Sequence, residues 1–249
     1  MVGARRRQLN RMTKRGRFRG ERIRRDVFLT GRYQSHFNPE DRNNPFFKIY
    51  DRKKQDALKI IGQSKPSARI LDVGGGYGRL SLALAPSVGS QVVLADISRD
   101  MLARAAAGAQ GLARLNILNA DAHHLPFRDD TFDIIVGLDL FCHLEAPARA
   151  VSEFRRVLKP GGLLILDSTN SNPLWSFFYP RYLGKNPLDW LKILRFHGVY
   201  PGWEGIVRHY PRERFFSLLQ EGGFRIIRHI EYGPRICPKW HLAVSRKVA

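Results

Sequence analysis

The sequence predicts an α/β fold organised on a mostly parallel sheet, and three observations carry that prediction. Short apolar runs rich in β-branched residues recur at residues 70–73, 91–95, 115–119, 134–137 and 163–166, with the length and composition of buried strands. Segments of helical periodicity separate them, the alternation expected of parallel strands joined by crossover helices. Between the first run and the helix after it stands a turn containing Gly74, Gly75, Gly76 and Gly78, which suits close approach of the backbone to a ligand.

The turn is the centre of the functional reading. A strand feeding glycines and then a helix brings unpaired N–H groups and a partial positive charge to one point. The glycine spacing differs from the dinucleotide fingerprint G-x-G-x-x-G. Here the order is Asp72-x-Gly74-x-Gly76-x-Gly78, with an acid just before the turn. A carboxylate there suits a ligand carrying an amine and a positive charge better than it suits a pyrophosphate.

This D-x-G-x-G-x-G pattern resembles the first motif of the class I S-adenosylmethionine-dependent methyltransferases, and later residues extend the resemblance. Asp96 closes the second strand 24 residues after Asp72, near the separation at which an acid accepts hydrogen bonds from ribose hydroxyls. Residues 96–100 also precede a helix over 101–107, with Ser98 as a candidate N-cap. After the third strand, Ala120-Asp-Ala-His-His-Leu-Pro-Phe127 is similar to the element through which the family reaches the adenine ring. Arg156-Val-Leu-Lys-Pro-Gly-Gly-Leu-Leu-Ile165 is similar to a structural signature of the ubiquinone/menaquinone-biosynthesis-like branch (methyltransferase type 11). The resemblance spans residues 69–167.

It implies a Rossmann-like sheet of seven strands in the order 3-2-1-4-5-7-6, with helices on both faces. It also implies S-adenosyl-L-methionine as cofactor, contacted by Asp72, Gly74, Gly76, Gly78, Asp96, Ile97, Asp121, Ala122 and Leu138. Enzymes that methylate exocyclic amines of bases carry an Asn/Asp-Pro-Pro-aromatic sequence after the fourth strand, to hold a flipped-out base. Here that position reads Leu138-Asp-Leu-Phe, which disfavours that chemistry. His143 matches a histidine common in the quinone branch and is a candidate for orienting substrate or taking a proton; packing at a helix start is the alternative. No residue is assigned firmly as catalytic, because methyl transfer depends chiefly on alignment.

Charge and composition bound the rest. The formal charge is +20 and uneven, with 19 Lys/Arg against 6 Asp/Glu in residues 1–65 but 10 against 11 in residues 66–170. A neutral core between basic flanks points to an anionic surface or substrate. No run of about 18 apolar residues exists to span a bilayer. Cys142 and Cys237 lack metal-ligand spacing, and His123-His124 lacks a third ligand and reads as surface, so no metal site is expected.

Residues 1–30 form a basic leader too poor in apolar groups to order itself. Residues 31–249 form the domain, with the core at 66–170. Within the segment preceding the core, Tyr33, His36 and Tyr50 are candidates to cover the ligand, with packing the alternative for each. Residues 171–210 interleave aromatics with Arg181, Lys185, Lys192 and Arg195. In related enzymes an insertion here forms a lid over the acceptor. Such a lid suits a large apolar substrate at an anionic membrane, stacking of nucleic-acid bases or a local core. His197 and His209 are further candidate bases. Residues 211–249 supply a closing helix and a strand pair.

The reading is therefore an enzyme that moves a methyl group to a C, N or O atom of a small, lipid-like or quinone-like acceptor. The alternative is an RNA or DNA methyltransferase that uses the basic flanks on phosphates. A cytoplasmic location with peripheral contact at the inner membrane face is expected, and no obligate protein partner is inferred.

Overall fold

The computed structural model describes residues 47–87, 89–170, 200–202, 207–236 and 238–248. The basic leader, Tyr33, His36, His197 and most of the aromatic segment fall outside these residues. The first element is helix α1 (Phe47–Gly62), whose buried side chains are Tyr50, Lys53, Ala57, Ile60 and Ile61. Their spacing of three and four lays one stripe along the helix, and a lysine sits in the middle of it.

Strand β1 (Arg69–Val73), helix α2 (Ser81–Ser87), strand β2 (Gln91–Asp96), helix α3 (Arg99–Gly108) and strand β3 (Leu115–Asn119) follow in alternation. Ser98 caps α3 as its sequence position suggests, accepting from the Met101 N–H at 3.4 Å. Strand β4 (Phe132–Gly137), a 3-10 turn (Phe141–His143), helix α4 (Pro147–Val157) and strand β5 (Leu158–Thr169) complete the parallel part. The chain then passes through β6 (Tyr200–Gly202) and β7 (Val207–His209), a separate antiparallel pair, to helix α5 (Arg212–Glu221) and strands β8 (Phe224–Tyr232) and β9 (Trp240–Lys247).

The main sheet has seven strands in the order β3-β2-β1-β4-β5-β9-β8. Counting only its members, this is 3-2-1-4-5-7-6, as the resemblance implied. Strands β1 to β5 run parallel, and β9 pairs antiparallel with both β5 and β8. One detail differs from local expectation: glycine and proline in Lys159-Pro-Gly-Gly162 would ordinarily end the fourth helix and leave the strand to start at 163. The helix stops at Val157 and the strand starts at Leu158, opposite Phe132; pairing then resumes at Leu163 opposite Ile134. Residues 159–162 are a bulge within β5, where Gly161 adopts φ +72°; glycine accommodates the irregularity without breaking the strand.

Two apolar layers clamp the sheet. One holds Phe132, Phe141, Phe154, Phe215 and Leu219 against α4 and α5; the other holds Tyr50, Ile61, Leu84, Tyr232 and Trp240 against α1 and α2. Each such side chain, fully buried, contributes about 1.5–3 kcal/mol. The consequence for function is directional. All five parallel strands end on one edge of the sheet, so Asp72, Asp96, Asn119 and Gly137 sit at or next to neighbouring strand ends, and ligands bind there in folds of this kind.

Candidate active site

The glycine turn is held from below. Gly74 N–H donates to the Ala95 carbonyl at 2.7 Å, tying the turn to the end of β2. At φ +67°, a Cβ on Gly74 would lie 2.6 Å from Leu140 Cδ1, so any side chain there would displace the loop after β4. Gly76 differs: at φ +57° its missing Cβ faces open space, with nothing within 4 Å. The turn thus presents bare backbone to open space at Gly76.

Asp72 lies underneath it, 2% exposed. Its Oδ2 accepts the Ser81 hydroxyl at 2.6 Å, at the start of α2, and Gly75 closes over the same oxygen. Burial pushes this carboxyl up to about 6, against the pull of the Ser81 hydroxyl. A raised folded-state value means the group favours the folded state fully below roughly pH 4, the unfolded value, and that this contribution is lost as pH rises through about 6. Asp72→Asn removes the effect. Its urea-denaturation stability relative to wild type is expected to improve by about 1–2 kcal/mol between pH 5 and pH 7.5; a constant difference would reject the buried, proton-binding carboxyl.

Asp96 ends β2 with its plane fixed by two backbone donors. Gly76 N–H reaches Oδ2 and Ser98 N–H reaches Oδ1, each at 2.8 Å. Burial raises its pKa, while the Ser98, Gly76 and Ile97 N–H groups oppose that rise. Each carboxylate oxygen keeps a second lone-pair direction free of these bonds. Helix capping is done by Ser98, which leaves the acid for the cleft. Ile97, next in line, is partly buried, and its carbonyl accepts the Asn119 amide at 3.0 Å.

Asp121 stands past the end of β3 with Ala122 buried behind it. Its Oδ1 accepts the His123 N–H at 3.0 Å and contacts His123 Nδ1 at 2.7 Å. Beside His124, His123 is expected at the surface; the ring is instead buried. Ala146 N–H donates to its Nε2 at 3.2 Å, so Nδ1 carries the proton and orients the Asp121 carboxylate. His124 does lie toward solvent, against Arg149. The three predicted acids, Asp72, Asp96 and Asp121, therefore lie at or just past the ends of three adjacent strands.

The neighbouring strands contribute a group that the sequence reading missed. Leu138 is buried after β4, and Asp139 follows it at φ +58°, a region non-glycine residues rarely occupy. Asp139 pairs with Lys53 of α1 and, at 3.1 Å, with Arg79 of the glycine turn. Lys53 also reaches Asp167 of β5 at 2.5 Å, and Asp139 N–H donates to Asp167 Oδ1 at 2.6 Å. The Lys53 ammonium is fully buried, lying 4.9 Å from the Tyr50 ring and 5.2 Å from the Trp240 ring. Burial alone would raise Asp139, but Lys53 and Arg79 hold it below the usual carboxylate range. Tyr50, one candidate for covering the ligand, packs edge-on against Trp240 and accepts Arg79 on its carbonyl at 2.9 Å. The only early hint was Lys53's position in an apolar stripe.

His143 closes the 3-10 turn, partly buried, with Asp139 and His209 as electrostatic neighbours. His209 ends β7; burial, then nearby Lys239, pushes it down to about 3. Lys239 is itself lowered to about 7 by burial and by Lys53.

A bare glycine turn, a fixed carboxylate at the end of β2 and an oriented acid past β3, set on this sheet order, are the arrangement expected of the methyltransferase class of α/β enzymes. A family model described as "Methyltransferase domain" matches residues 71–166. A ubiquinone/menaquinone biosynthesis C-methyltransferase from Ectopseudomonas mendocina is 41% identical over 188 residues, covering 71% of this chain and 72% of that protein. A demethylmenaquinone methyltransferase from Clavibacter sepedonicus is 33% identical over 165 residues, covering 65% and 67%. A solved S-adenosylmethionine-dependent methyltransferase from Methanosarcina mazei superposes with a TM-score of 0.62 at 25% identity, covering 76% of this chain and 97% of that one.

The chain belongs to the class I S-adenosylmethionine-dependent methyltransferases, in their ubiquinone/menaquinone-type branch. It is an enzyme, and S-adenosylmethionine is its methyl donor. The open face over Gly76 beside the fixed Asp96 carboxylate fits the nucleoside part of that molecule.

Proposed function

We propose that the protein methylates a carbon of a quinol-like lipid, using residues at the ends of β1 to β4 to hold the donor. Asp96 takes the two ribose hydroxyls, and Ile97 covers the sugar. Asp121 and the Ala122 N–H face the adenine edge, an amine donor beside a ring-nitrogen acceptor. Gly74, Gly76 and Gly78 keep the turn bare, Asp72 holds it from beneath through Ser81, and Leu138 lines the wall. The observation that carries this reading is the Asp96 carboxylate, locked by Gly76 and Ser98 at 2.8 Å each beside open space.

Bound there, the donor supplies an electrophilic methyl on a sulfonium. The chain's task is alignment and exclusion of water, and positioning of this kind is worth roughly 7–11 kcal/mol of barrier. An acceptor already ionised as phenolate needs no protein base; His143 beside Asp139 is the candidate where it does. The acceptor class is supported by the names of the relatives and by the basic flanks, which suit an anionic membrane surface. We take residues 1–30 as the basic leader, 31–249 as the domain, and 171–210 as its lid. Among the described residues, no helix is long and apolar enough to cross a membrane.

The test is transfer of label from methyl-labelled S-adenosylmethionine by the full chain. Reduced demethylmenaquinone would be supplied in neutral or anionic vesicles, with bulk RNA and DNA as parallel acceptors. Label is expected in the quinol, several-fold faster on anionic vesicles. Label in nucleic acid alone would overturn the acceptor assignment, and equal rates on both vesicles would remove the membrane part.

A further inference from the structure

Away from the cleft, the last two strands bring together three side chains that the methyl-transfer reading does not use. His229 and Glu231 alternate on β8, so they project from one face of the sheet. His241 of β9 lies directly opposite Glu231 in the antiparallel register. Their neighbours locate that face. Ala243 belongs to the layer with Phe215, and Phe216 of α5 packs edge-on against the His229 ring at 4.9 Å. Trp240 and Leu242, alternating with His241, face the other layer, which contains Tyr50.

The geometry points to a site for one divalent transition-metal ion of the zinc class, held by His229 Nε2, His241 Nδ1 and Glu231 Oε1. The three atoms are separated by 3.0 Å (His229 to His241), 3.9 Å (His229 to Glu231) and 3.7 Å (His241 to Glu231). A point equidistant from the corners of that triangle lies about 2.1 Å from each, which is the zinc–nitrogen and zinc–oxygen bond length. Moving the ion about half an ångström out of the plane, toward a fourth ligand such as water, still leaves the three contacts near 2.1 Å. Two imidazoles with one carboxylate form a donor set suited to zinc, nickel or copper and less to magnesium or calcium.

The surroundings agree. Both rings are withdrawn from solvent, His241 buried and His229 partly so, and it is the neutral imidazole that binds metal. His241 Nε2 is buried without a hydrogen-bond partner among the described residues, which leaves Nδ1 as the atom facing its neighbours. Arg212, half exposed at the start of α5, holds its Nη1 3.8 Å from Glu231 Oε1. It is a cation that competes for the carboxylate, and its guanidinium also pairs with Glu213 at 3.1 Å. The ion would clip β8 to β9 on the face opposite Lys53, a structural role separate from methyl transfer. Cysteine spacing and the His123-His124 pair gave no sign of it, because the ligands come from two strands joined only by register.

The experiment titrates chelator-stripped full-length protein with zinc chloride by calorimetry, and with cobalt chloride by visible absorption. One equivalent is expected at micromolar or tighter affinity, with cobalt bands of a four-coordinate site and a higher melting temperature with zinc. His229→Gln and Glu231→Gln, both at partly exposed positions, are expected to weaken binding at least 10-fold and to lose the thermal shift while retaining S-adenosylmethionine binding. Arg212→Ala is expected to bind zinc more tightly than wild type. No stoichiometric binding, or wild-type affinity in both ligand variants, would overturn the proposal; either result leaves the methyltransferase assignment untouched.

Discussion

Asp96→Ala is expected to abolish measurable S-adenosylmethionine binding while leaving the fold in place. Hydrogen bonds to a charged acceptor are worth about 1.5–3 kcal/mol each, and two ribose hydroxyls are at stake. The loss should therefore be at least about 100-fold in affinity by calorimetry. Stability should change little, for opposing reasons. The variant leaves the Gly76 and Ser98 N–H groups without their 2.8 Å partner, yet it also removes a carboxylate whose burial raises its pKa. Ser98 still caps α3. A variant that binds like wild type would reject the ribose role, and one that unfolds would show Asp96 to be chiefly structural.

The second large effect is on stability. Lys53→Met should destabilise the protein by about 3–5 kcal/mol, the range for breaking a buried ion pair from one side. The ammonium is fully buried between Asp139 and Asp167, and removing it leaves those carboxylates facing each other. Arg79 then remains as a cation paired with Asp139 at 3.1 Å. Chemical denaturation of the single variant and of Lys53→Met with Asp167→Asn separates the causes. Neutralising Asp167 should recover most of the loss, because the cost lies in uncompensated charge. If the two losses simply add, the network is not acting as a unit. The same network joins α1, the glycine turn and the ends of β4 and β5, so cofactor affinity should fall along with stability in Lys53→Met.

Much of this was legible in the chain. The strands at 91–96 and 115–119, the Ser98 cap, the bare turn and the acids at 72, 96 and 121 all follow from local pattern. Short β-branched apolar runs, glycines where φ is positive and an acid at a strand's end depend on residues close in sequence. What was misread shows the limit. Lys159-Pro-Gly-Gly162 looked like a helix stop because glycine and proline usually are; β4 alongside absorbs it as a bulge instead. His123 looked like a solvent-facing neighbour of His124, but Ala146, 23 residues on, supplies the donor that buries and orients it.

By itself, then, the sequence determined the order of strands and helices, the membership in a methyl-transfer family and the three acids that the fold brings to neighbouring strand ends. Tertiary structure decided which charged residues leave water. Lys53, Arg79, Asp139 and Asp167 meet only when α1 closes on the sheet, and His229, Glu231 and His241 meet only through the β8–β9 register. A charge or an imidazole is stable inside a protein only beside a compensating group, and here those groups lie as far as 114 residues away, beyond the reach of any periodicity.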